Sequence, residues 1–241
     1  MKIAMWSGPR NLSTAMMYAF AARGDCAIWD EPFYAPYLKA TGAAHPLRDE
    51  IVAAHEADPK AVAVRCAGPV PGGQPHFYMK HMPHHMIAGF PLDWARACTN
   101  VFLIRHPARV VASYAKKRED PVLADLGYAQ QAALFERIAD WQGAAPVVID
   151  SDDIRAEPGG MLWALCRAIG LPYTDKMLRW PAGGRPEDGV WAAHWYGAVH
   201  QSTGFDKAEG PLPELEGGYA KLAEAAMPAY ERLVTARLKA R

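Results

Sequence analysis

Short apolar runs alternate with longer helical segments along most of the chain, and this alternation constrains the fold more than any other feature. The runs predict five strands, at residues 2–6, 26–29, 77–80, 100–104 and 146–149. The longer segments predict helices at residues 13–23, 45–57, 107–117, 128–141, 158–169 and 219–239. The pattern indicates an α/β fold, a three-layer sandwich whose central parallel sheet is covered by helices on both faces. Ligands of such sheets bind at the carboxyl ends of the strands, so functional residues are expected directly after each strand.

The charge balance limits the classes of partner. Lys plus Arg and Asp plus Glu both number 26, so the chain lacks the basic surplus of a general nucleic-acid binder. Its 241 residues suffice for one domain, which we expect to span residues 1–241. No apolar run approaches the roughly 18–20 residues of a membrane span. Without an export signal or a CxxC pair, the four cysteines are expected to be reduced thiols in a cytoplasmic protein. Nothing in the sequence indicates an oligomeric state.

The segment after the first predicted strand, residues 7–14, carries the features of a phosphate-binding loop. Gly8 permits a tight turn, and the hydroxyls of Ser13 and Thr14 can cap the helix that follows. Free amides at a helix N-terminus favour anions, and Arg10 offers several donors to phosphate oxygens. The alternative is an ordinary capped turn with a solvent-facing arginine.

This loop is not a Walker A loop. When Gly8 is taken as the first glycine, Ser13, Thr14 and Ala15 occupy the positions that require Gly, Lys and Ser or Thr. The P-loop lysine and the magnesium-binding hydroxyl are therefore missing, which disfavours a P-loop-type kinase or nucleotide hydrolase.

A second candidate anion site follows the fourth predicted strand. Arg105 stands at the carboxyl end of that strand, and Ser113 lies about two turns into the next helix. Both side chains can converge on one phosphate. The alternative is a surface arginine and a helix serine without a ligand.

Three segments resemble the PAPS-dependent sulfotransferase family. Residues 105–114 fit the pattern R-x-P-x-x-x-x-x-S-Y of its 3'-phosphate-binding element, and residues 8–14 resemble its 5'-phosphosulfate loop, which often reads P-R-S-G-T-T. Residues 146–171 are similar to the family's strand, Y-E-D-L segment and following helix, and a weaker likeness reaches residues 202–205. Leu12 stands where the family's loop usually has glycine, and Asn11 replaces the small residue beside it.

The resemblance implies a P-loop-NTPase-like sulfotransferase architecture in a divergent bacterial-type member of the family. It implies transfer of a sulfuryl group from PAPS to a hydroxyl of a small-molecule or carbohydrate acceptor, leaving adenosine 3',5'-bisphosphate, with no metal. A protein that binds such a nucleotide without turnover is the alternative. The residues that the resemblance assigns to PAPS binding are Arg10, Asn11, Leu12, Ser13, Thr14, Arg105 and Ser113.

Two residues are candidates for the base that accepts the acceptor's proton. Glu31 follows the second strand and resembles the glutamate of the E-P element in carbohydrate and bacterial sulfotransferases. His81 follows the third strand and resembles the histidine of the K-T-H-L-P segment in the cytosolic branch. Neighbouring Lys80 is expected to contact the bridging or sulfuryl oxygens. Glu31 is the preferred base and His81 is the alternative. Geometry must decide between them.

Histidines and aromatic residues near these candidates allow further interpretations. His81 and His85 have the i, i+4 spacing of helical zinc sites, but the sequence offers no HExxH pattern, and we expect no metal. The aromatic-rich segment 191–205 is expected mainly to pack in the core, or else to form a wall of the adenine or acceptor pocket. Loops at residues 41–44, 67–76 and 181–189 are expected to shape the acceptor pocket.

Overall fold

A five-stranded parallel sheet forms the centre of the molecule. The structure is a computed structural model and describes residues 1–116 and 121–240. The strands are β1 (Lys2–Ser7), β2 (Cys26–Asp30), β3 (His76–His81), β4 (Thr99–Ile104) and β5 (Val147–Asp150), arranged in the order β2-β3-β1-β4-β5. Each neighbouring pair is parallel, which confirms the predicted α/β class.

Helices flank the sheet. In the described part of the chain they are α1 (Ser13–Ala22), α2 (Tyr34–Thr41), α3 (Arg48–Ala54), α4 (Pro59–Ala67), α5 (Pro107–Ala115), α6 (Leu123–Leu126), α7 (Tyr128–Gln142), α8 (Ser151–Ala156), α9 (Pro158–Ile169), α10 (Ala192–Trp195), α11 (Gly197–His200) and α12 (Gly217–Val234). Short 3-10 turns lie at Pro71–Gly73, Pro83–His85, Asp93–Ala97 and Asp175–Leu178.

Side chains of each strand alternate between two cores. Ile3 and Met5 of β1 belong to a buried cluster that includes residues of α1, α2 and α9. Ala4 and Trp6 belong to a second cluster on the other face, with residues of α5, α7 and α12. Since successive strand residues point to opposite faces, both faces of the sheet are covered and the molecule has three layers.

β1 lies at the centre of the sheet, so the carboxyl ends of β3 and β4 lie on either side of its own. Trp6 of β1 pairs with His81 of β3, and Ser7 pairs with Leu103 of β4. The loops that follow β1, β3 and β4 therefore leave the sheet side by side. Asp30, the last residue of β2, pairs with Lys80 and brings the next loop to the same edge.

The main differences from the predicted helices lie between β2 and β3. The helix predicted at residues 45–57 is shorter, because Leu47 has a φ of 59° and His55 is extended. The sequence analysis missed α2 and α4, although Asp58 caps α4 by accepting a hydrogen bond from the amide of Lys60 at 2.9 Å. The last helix is Gly217–Val234 rather than residues 219–239. Residue 117, the predicted end of the helix after β4, lies outside the described residues.

Across residues 1–116 and 121–240, no helix has the length and apolar character that a bilayer span requires. The four cysteines are free thiols, of which Cys66 and Cys166 are buried.

Gly8 is required by the close approach of α6 to the first loop. A Cβ atom at residue 8 would lie 2.7 Å from the carbonyl oxygen of Leu126, a backbone atom that cannot rotate away. Gly8→Ala should therefore destabilise the protein by about 1–3 kcal/mol, as overpacking does elsewhere. Urea denaturation measures this change in the free energy of unfolding.

Gly218→Ala in α12 is the matched control, because its Cβ would meet nothing within 4 Å. This variant should match the wild type or exceed it by roughly 0.5–1 kcal/mol. Equal stability of the two alanine variants would contradict the steric role of Gly8.

Candidate active site

The carboxyl ends of β1, β2, β3 and β4 open into one cleft with a volume of about 270 Å³. Its walls come from the loop after β1, the turn after β2, the segment after β3, Arg105 after β4, the last turn of α5 and residues 195–206. Nine of the ten candidate residues line it: Arg10, Asn11, Leu12, Ser13, Thr14, Glu31, Lys80, Arg105 and Ser113.

The loop after β1 presents the N-terminus of α1 to this cleft. Leu12 is the N-cap residue, with φ 70° and ψ 9°, and no side chain in the described residues caps the helix there. The expectation that Ser13 or Thr14 caps the helix is therefore wrong. The first-turn amides and the positive end of the helix dipole are left available to an anion. Leu12 has a left-handed conformation, which glycine, the family's usual residue at this position, adopts easily.

Arg10 and Arg105 join the two predicted anion sites. Nε of Arg10 donates a hydrogen bond of 3.1 Å to Oγ of Ser113. Nη1 of Arg105 donates a hydrogen bond of 2.7 Å to the carbonyl oxygen of Arg10. Burial and, next, the charge of Arg105 lower the pKa of the Arg10 guanidinium.

Asn11 serves the architecture of this loop. Its side-chain amide donates a hydrogen bond of 3.3 Å to the carbonyl oxygen of Leu103 in β4. Gln131 of α7 donates to the same oxygen at 2.9 Å and to the carbonyl oxygen of Trp6 at 3.1 Å. These contacts tie the loop to β4 and fix its distance from Arg105.

A carboxylate already lies against Arg105. Nε of Arg105 donates a hydrogen bond of 3.2 Å to Oε2 of Glu209, and Nη2 donates to Oε1. Nε of Arg109 lies 3.6 Å from Oε2, and Nη1 of Arg155 lies 3.9 Å from Oε1. The sequence analysis missed Arg109, Arg155 and Glu209, although Arg109 lies in the first turn of α5, four residues after Arg105.

Lys80 is fully buried and binds three oxygens. Its Nζ donates to Oδ1 of Asp30 at 2.9 Å, to Oε1 of Glu31 at 2.5 Å and to the hydroxyl of Tyr196 at 2.6 Å. Both carboxylates are themselves buried. An ammonium group has three protons. The predicted contact between Lys80 and a sulfuryl oxygen would therefore require one of these bonds to break.

Glu31 is held in the cleft by this ion pair. Its φ of 38° is unusual for a residue other than glycine and marks local backbone strain. Oε2 lies 4.0 Å from Nδ1 of His85, while Oε1 is bound by Lys80. Burial raises the pKa of the Glu31 carboxyl above its ordinary value, and the opposing charge of Lys80 offsets only part of that effect.

The aromatic-rich segment 191–205 serves both the core and the cleft. Trp191 is buried and donates a hydrogen bond of 3.0 Å from Nε1 to the hydroxyl of Tyr196. That hydroxyl donates in turn to Oδ2 of Asp30 at 2.7 Å. Trp195, Tyr196 and Val199 line the cleft. The individual role of Tyr196 was not predicted, since no sequence spacing connects it to Lys80.

His81 lies on the opposite face of the sheet from Lys80. Its ring packs against Trp6 and Trp94, with centroids 4.6 Å and 4.7 Å apart, and it is 1% exposed. Burial, with a smaller contribution from Lys80, lowers the pKa of His81 to about 3. His81 is the candidate that the cleft does not include among its lining residues.

The zinc interpretation assumed a helix where the chain is not helical. His81 ends β3, and His84 and His85 lie in the 3-10 turn Pro83–His85. His85 stacks on Tyr34 with the ring centroids 4.5 Å apart. The described residues contain no group of three or more His, Cys, Asp and Glu side chains that could hold a metal ion.

The predicted acceptor loops do not border the cleft. Residues 41–44, 67–76 and 181–189 are absent from its described lining, whereas His45, His84 and residues 195–206 contribute to it. That these loops shape the acceptor pocket therefore stays a prediction, and the loop at 181–189 does reach the carboxyl end of β2, where the amide of Gly189 donates a hydrogen bond of 3.4 Å to Oδ2 of Asp30.

The architecture is that of the three-layer α/β proteins whose ligands bind at the carboxyl edge of a parallel sheet. A family model described as "Sulfotransferase domain" matches residues 1–238, and the chain belongs to this sulfotransferase family. A solved structure, the sulfotransferase domain from the curacin biosynthetic pathway, shares the fold. It has a TM-score of 0.50 and 14% identity, and the match covers 93% of this chain and 96% of that one.

Two curated relatives from Arabidopsis thaliana match almost the whole chain. They are named branched-chain-amino-acid aminotransferase-like proteins 1 and 2, and they are 36% and 33% identical to it over 231 residues. The match covers 96% of this chain and 41% of each relative. The chain thus spans about two fifths of the length of these relatives.

Removing the charge of Lys80 should strongly destabilise the protein. Lys80→Met leaves two buried carboxylates without their cation, a change that costs about 3–5 kcal/mol in comparable buried pairs. Without Lys80, burial raises the pKa of Glu31 further, so the carboxyl takes up a proton as pH falls. The difference from wild type should therefore be largest near pH 8 and shrink toward pH 5, as measured by urea denaturation at each pH.

Lys60→Met supplies the control, because Lys60 is exposed on α4. It should change stability by less than about 0.5 kcal/mol at either pH. A Lys80→Met variant as stable as this control would contradict the network described above.

Proposed function

We propose that the chain is an enzyme that transfers a sulfuryl group from PAPS to a hydroxyl of a small-molecule or carbohydrate acceptor. The observation that carries this proposal is the contact of Arg10 with Ser113 and of Arg105 with Arg10, which joins two anion-binding loops in one cleft. The buried carboxylate of Glu31 lines the same cleft. Membership of the sulfotransferase family supports sulfuryl transfer as the chemistry.

The residues present fit a doubly phosphorylated nucleotide. The uncapped N-terminus of α1 and Arg10 would hold the 5' side, with amides and a guanidinium that favour phosphate oxygens. Arg105 and Ser113 would hold the 3'-phosphate. The carboxylate of Glu209 supports this fit, because an anionic group lies against Arg105.

PAPS supplies the sulfuryl group and leaves as adenosine 3',5'-bisphosphate. Glu31 accepts the hydroxyl proton of the acceptor while the acceptor oxygen bonds to sulfur and the bond from sulfur to the 5'-phosphate oxygen breaks. Arg10 and the amides of α1 stabilise the negative charge that develops on the 5'-phosphate. Lys80 acts as a positioning residue that holds the carboxylate of Glu31, and Tyr196 in turn accepts a hydrogen bond from Lys80 and donates one to Asp30. In this proposal the protein's cations supply the charge that magnesium supplies in P-loop kinases.

Calorimetry separates this proposal from its alternatives. Binding of adenosine 3',5'-bisphosphate in EDTA, without binding of ATP, supports a sulfotransferase or a non-catalytic binding protein over a kinase or nucleotide hydrolase. Transfer of label from sulfur-labelled PAPS to a panel of phenols and sugars then distinguishes the first two. Magnesium-dependent binding of ATP would contradict the proposal.

Arg105→Ala should weaken binding of adenosine 3',5'-bisphosphate by at least about tenfold, because each charge-assisted hydrogen bond contributes about 1.5–3 kcal/mol. Ser113→Ala should cause a smaller loss, since it removes one neutral hydroxyl. Isothermal titration in EDTA measures both affinities, and thermal melting verifies that each variant is folded.

Arg232→Ala serves as the control, because Arg232 lies on α12 with a side chain that is 64% exposed and paired with Glu136. Its affinity should equal that of the wild type. An Arg105→Ala variant that also binds normally would refute the 3'-phosphate role.

Glu31→Gln should lower kcat by about 10²–10⁴, the range over which a general base contributes, while bisphosphate affinity is retained. His81→Phe should keep turnover, because the ring packs in an aromatic cluster outside the cleft. If His81→Phe loses turnover and Glu31→Gln keeps it, the base is His81.

The pH dependence of kcat/KM gives a second test of Glu31 as the base. The base must be ionised, so kcat/KM should fall as pH falls through the pKa of Glu31. Burial raises that pKa, and the acidic half-maximal point should therefore lie above 4.5, the ordinary value for a glutamate. An acidic limb at or below that value would contradict a buried glutamate base.

A further inference from the structure

Glu209 turns inward from an otherwise exposed stretch of chain. Residues 206–208 and 210–212 are exposed, whereas the Glu209 side chain is 19% exposed. The stretch belongs to a loop rich in glycine and proline that runs from the edge of the cleft to α12. Gly204 and Asp206, at the start of this loop, line the cleft.

Three arginines from different elements surround the Glu209 carboxylate. Arg105 binds both of its oxygens from the end of β4. Arg109 of α5 and Arg155 of α8 lie 3.6 Å and 3.9 Å from the nearer oxygen. Burial alone would raise the pKa of Glu209, but Arg105 and, next, Arg155 hold it below its ordinary value, so the carboxylate is ionised.

We propose that Glu209 is an internal competitor of the nucleotide's 3'-phosphate, and that Arg109 and Arg155 bind this phosphate together with Arg105 once Glu209 is displaced. The proposal rests on the proposed function, because it assumes that Arg105 takes the 3'-phosphate. It adds two binding residues and a loop whose position depends on whether the donor is bound.

The relative charges explain why a phosphate displaces the carboxylate. A phosphomonoester carries about 1.5 to 2 negative charges and three acceptor oxygens near neutral pH, whereas a carboxylate carries one charge and two oxygens. Three guanidinium groups are better matched by the phosphate. In the free protein, Glu209 offsets the mutual repulsion of the arginines together with Asp152, which lies 3.0 Å from Arg109, and Asp206, which lies 3.4 Å from Arg155.

Displacement of Glu209 must also move its neighbours. Nη2 of Arg109 donates a hydrogen bond of 2.6 Å to the carbonyl oxygen of Gly210, so Arg109 holds the loop at two adjacent residues. A phosphate that binds Arg109 breaks its contacts with both Glu209 and Gly210. Donor binding and release of the loop at the cleft edge are therefore one event.

Isothermal titration of the full chain tests the proposal with two ligands, adenosine 3',5'-bisphosphate and adenosine 5'-phosphate. Glu209→Gln should lower the Kd for the bisphosphate by about tenfold, because the competing charge is removed. The Kd for adenosine 5'-phosphate should be unchanged, since that ligand has no 3'-phosphate to bind Arg105, Arg109 and Arg155. Glu209→Asp, with a shorter reach, should fall between wild type and Glu209→Gln.

Glu214→Gln is the matched control, because it removes the same charge from an exposed position of the same loop. Its Kd values should equal those of the wild type. If wild type binds the bisphosphate and Glu209→Gln binds it no more tightly, the inference is overturned while the proposed function stands. Equal tightening for both ligands would also overturn it, as a general charge effect. Failure of both proteins to bind the bisphosphate overturns the proposed function and the inference with it.

Discussion

The hydrogen bond from Arg105 to the carbonyl oxygen of Arg10 is the contact on which the site depends. It joins the loop after β1 to the loop after β4, and Arg10 itself has a positive φ of 62°. Asn11 and Gln131 support it by binding the carbonyl oxygen of Leu103. Strain at two non-glycine residues of the loop, Arg10 and Leu12, is tolerated because these contacts fix the surrounding backbone.

Two of the charged groups described in the cleft, Arg105 and Lys80, have partners of opposite sign, whereas Arg10 is hydrogen-bonded to the hydroxyl of Ser113. Arg105 has Glu209, and Lys80 has Asp30 and Glu31. The two pairings differ in depth. Lys80 is fully buried, so its partners are fixed parts of the structure, whereas Glu209 belongs to an exposed loop and can leave. A charged ligand can therefore enter at the arginines without disrupting the ion pair around Glu31.

Local signals predicted the strands well, because buried parallel strands are short apolar runs bounded by polar residues. They failed between β2 and β3. The sequence predicted a helix at residues 45–57, but Leu47 adopts the left-handed conformation and the helix begins only after it. The loops after β1 and β4 were found because each binding motif is contiguous. Arg155, Tyr196 and Glu209 were missed because their charged partners are distant in sequence: Tyr196 contacts Lys80, and Glu209 contacts Arg105 and Arg155. One sequence without structure does not reveal such contacts.

The sequence by itself determined the five strands and the two motifs that follow β1 and β4, because each lies within a dozen consecutive residues. The order of the strands in the sheet came only from the tertiary structure. At the level of the sequence Glu31 was the preferred base and His81 the alternative, and the choice between them depended on geometry. Tertiary structure separated them, since Lys80 and His81 are consecutive in β3 and must face opposite sides of the sheet. Packing of helices on both faces then decided which side became a cleft and which became an aromatic core.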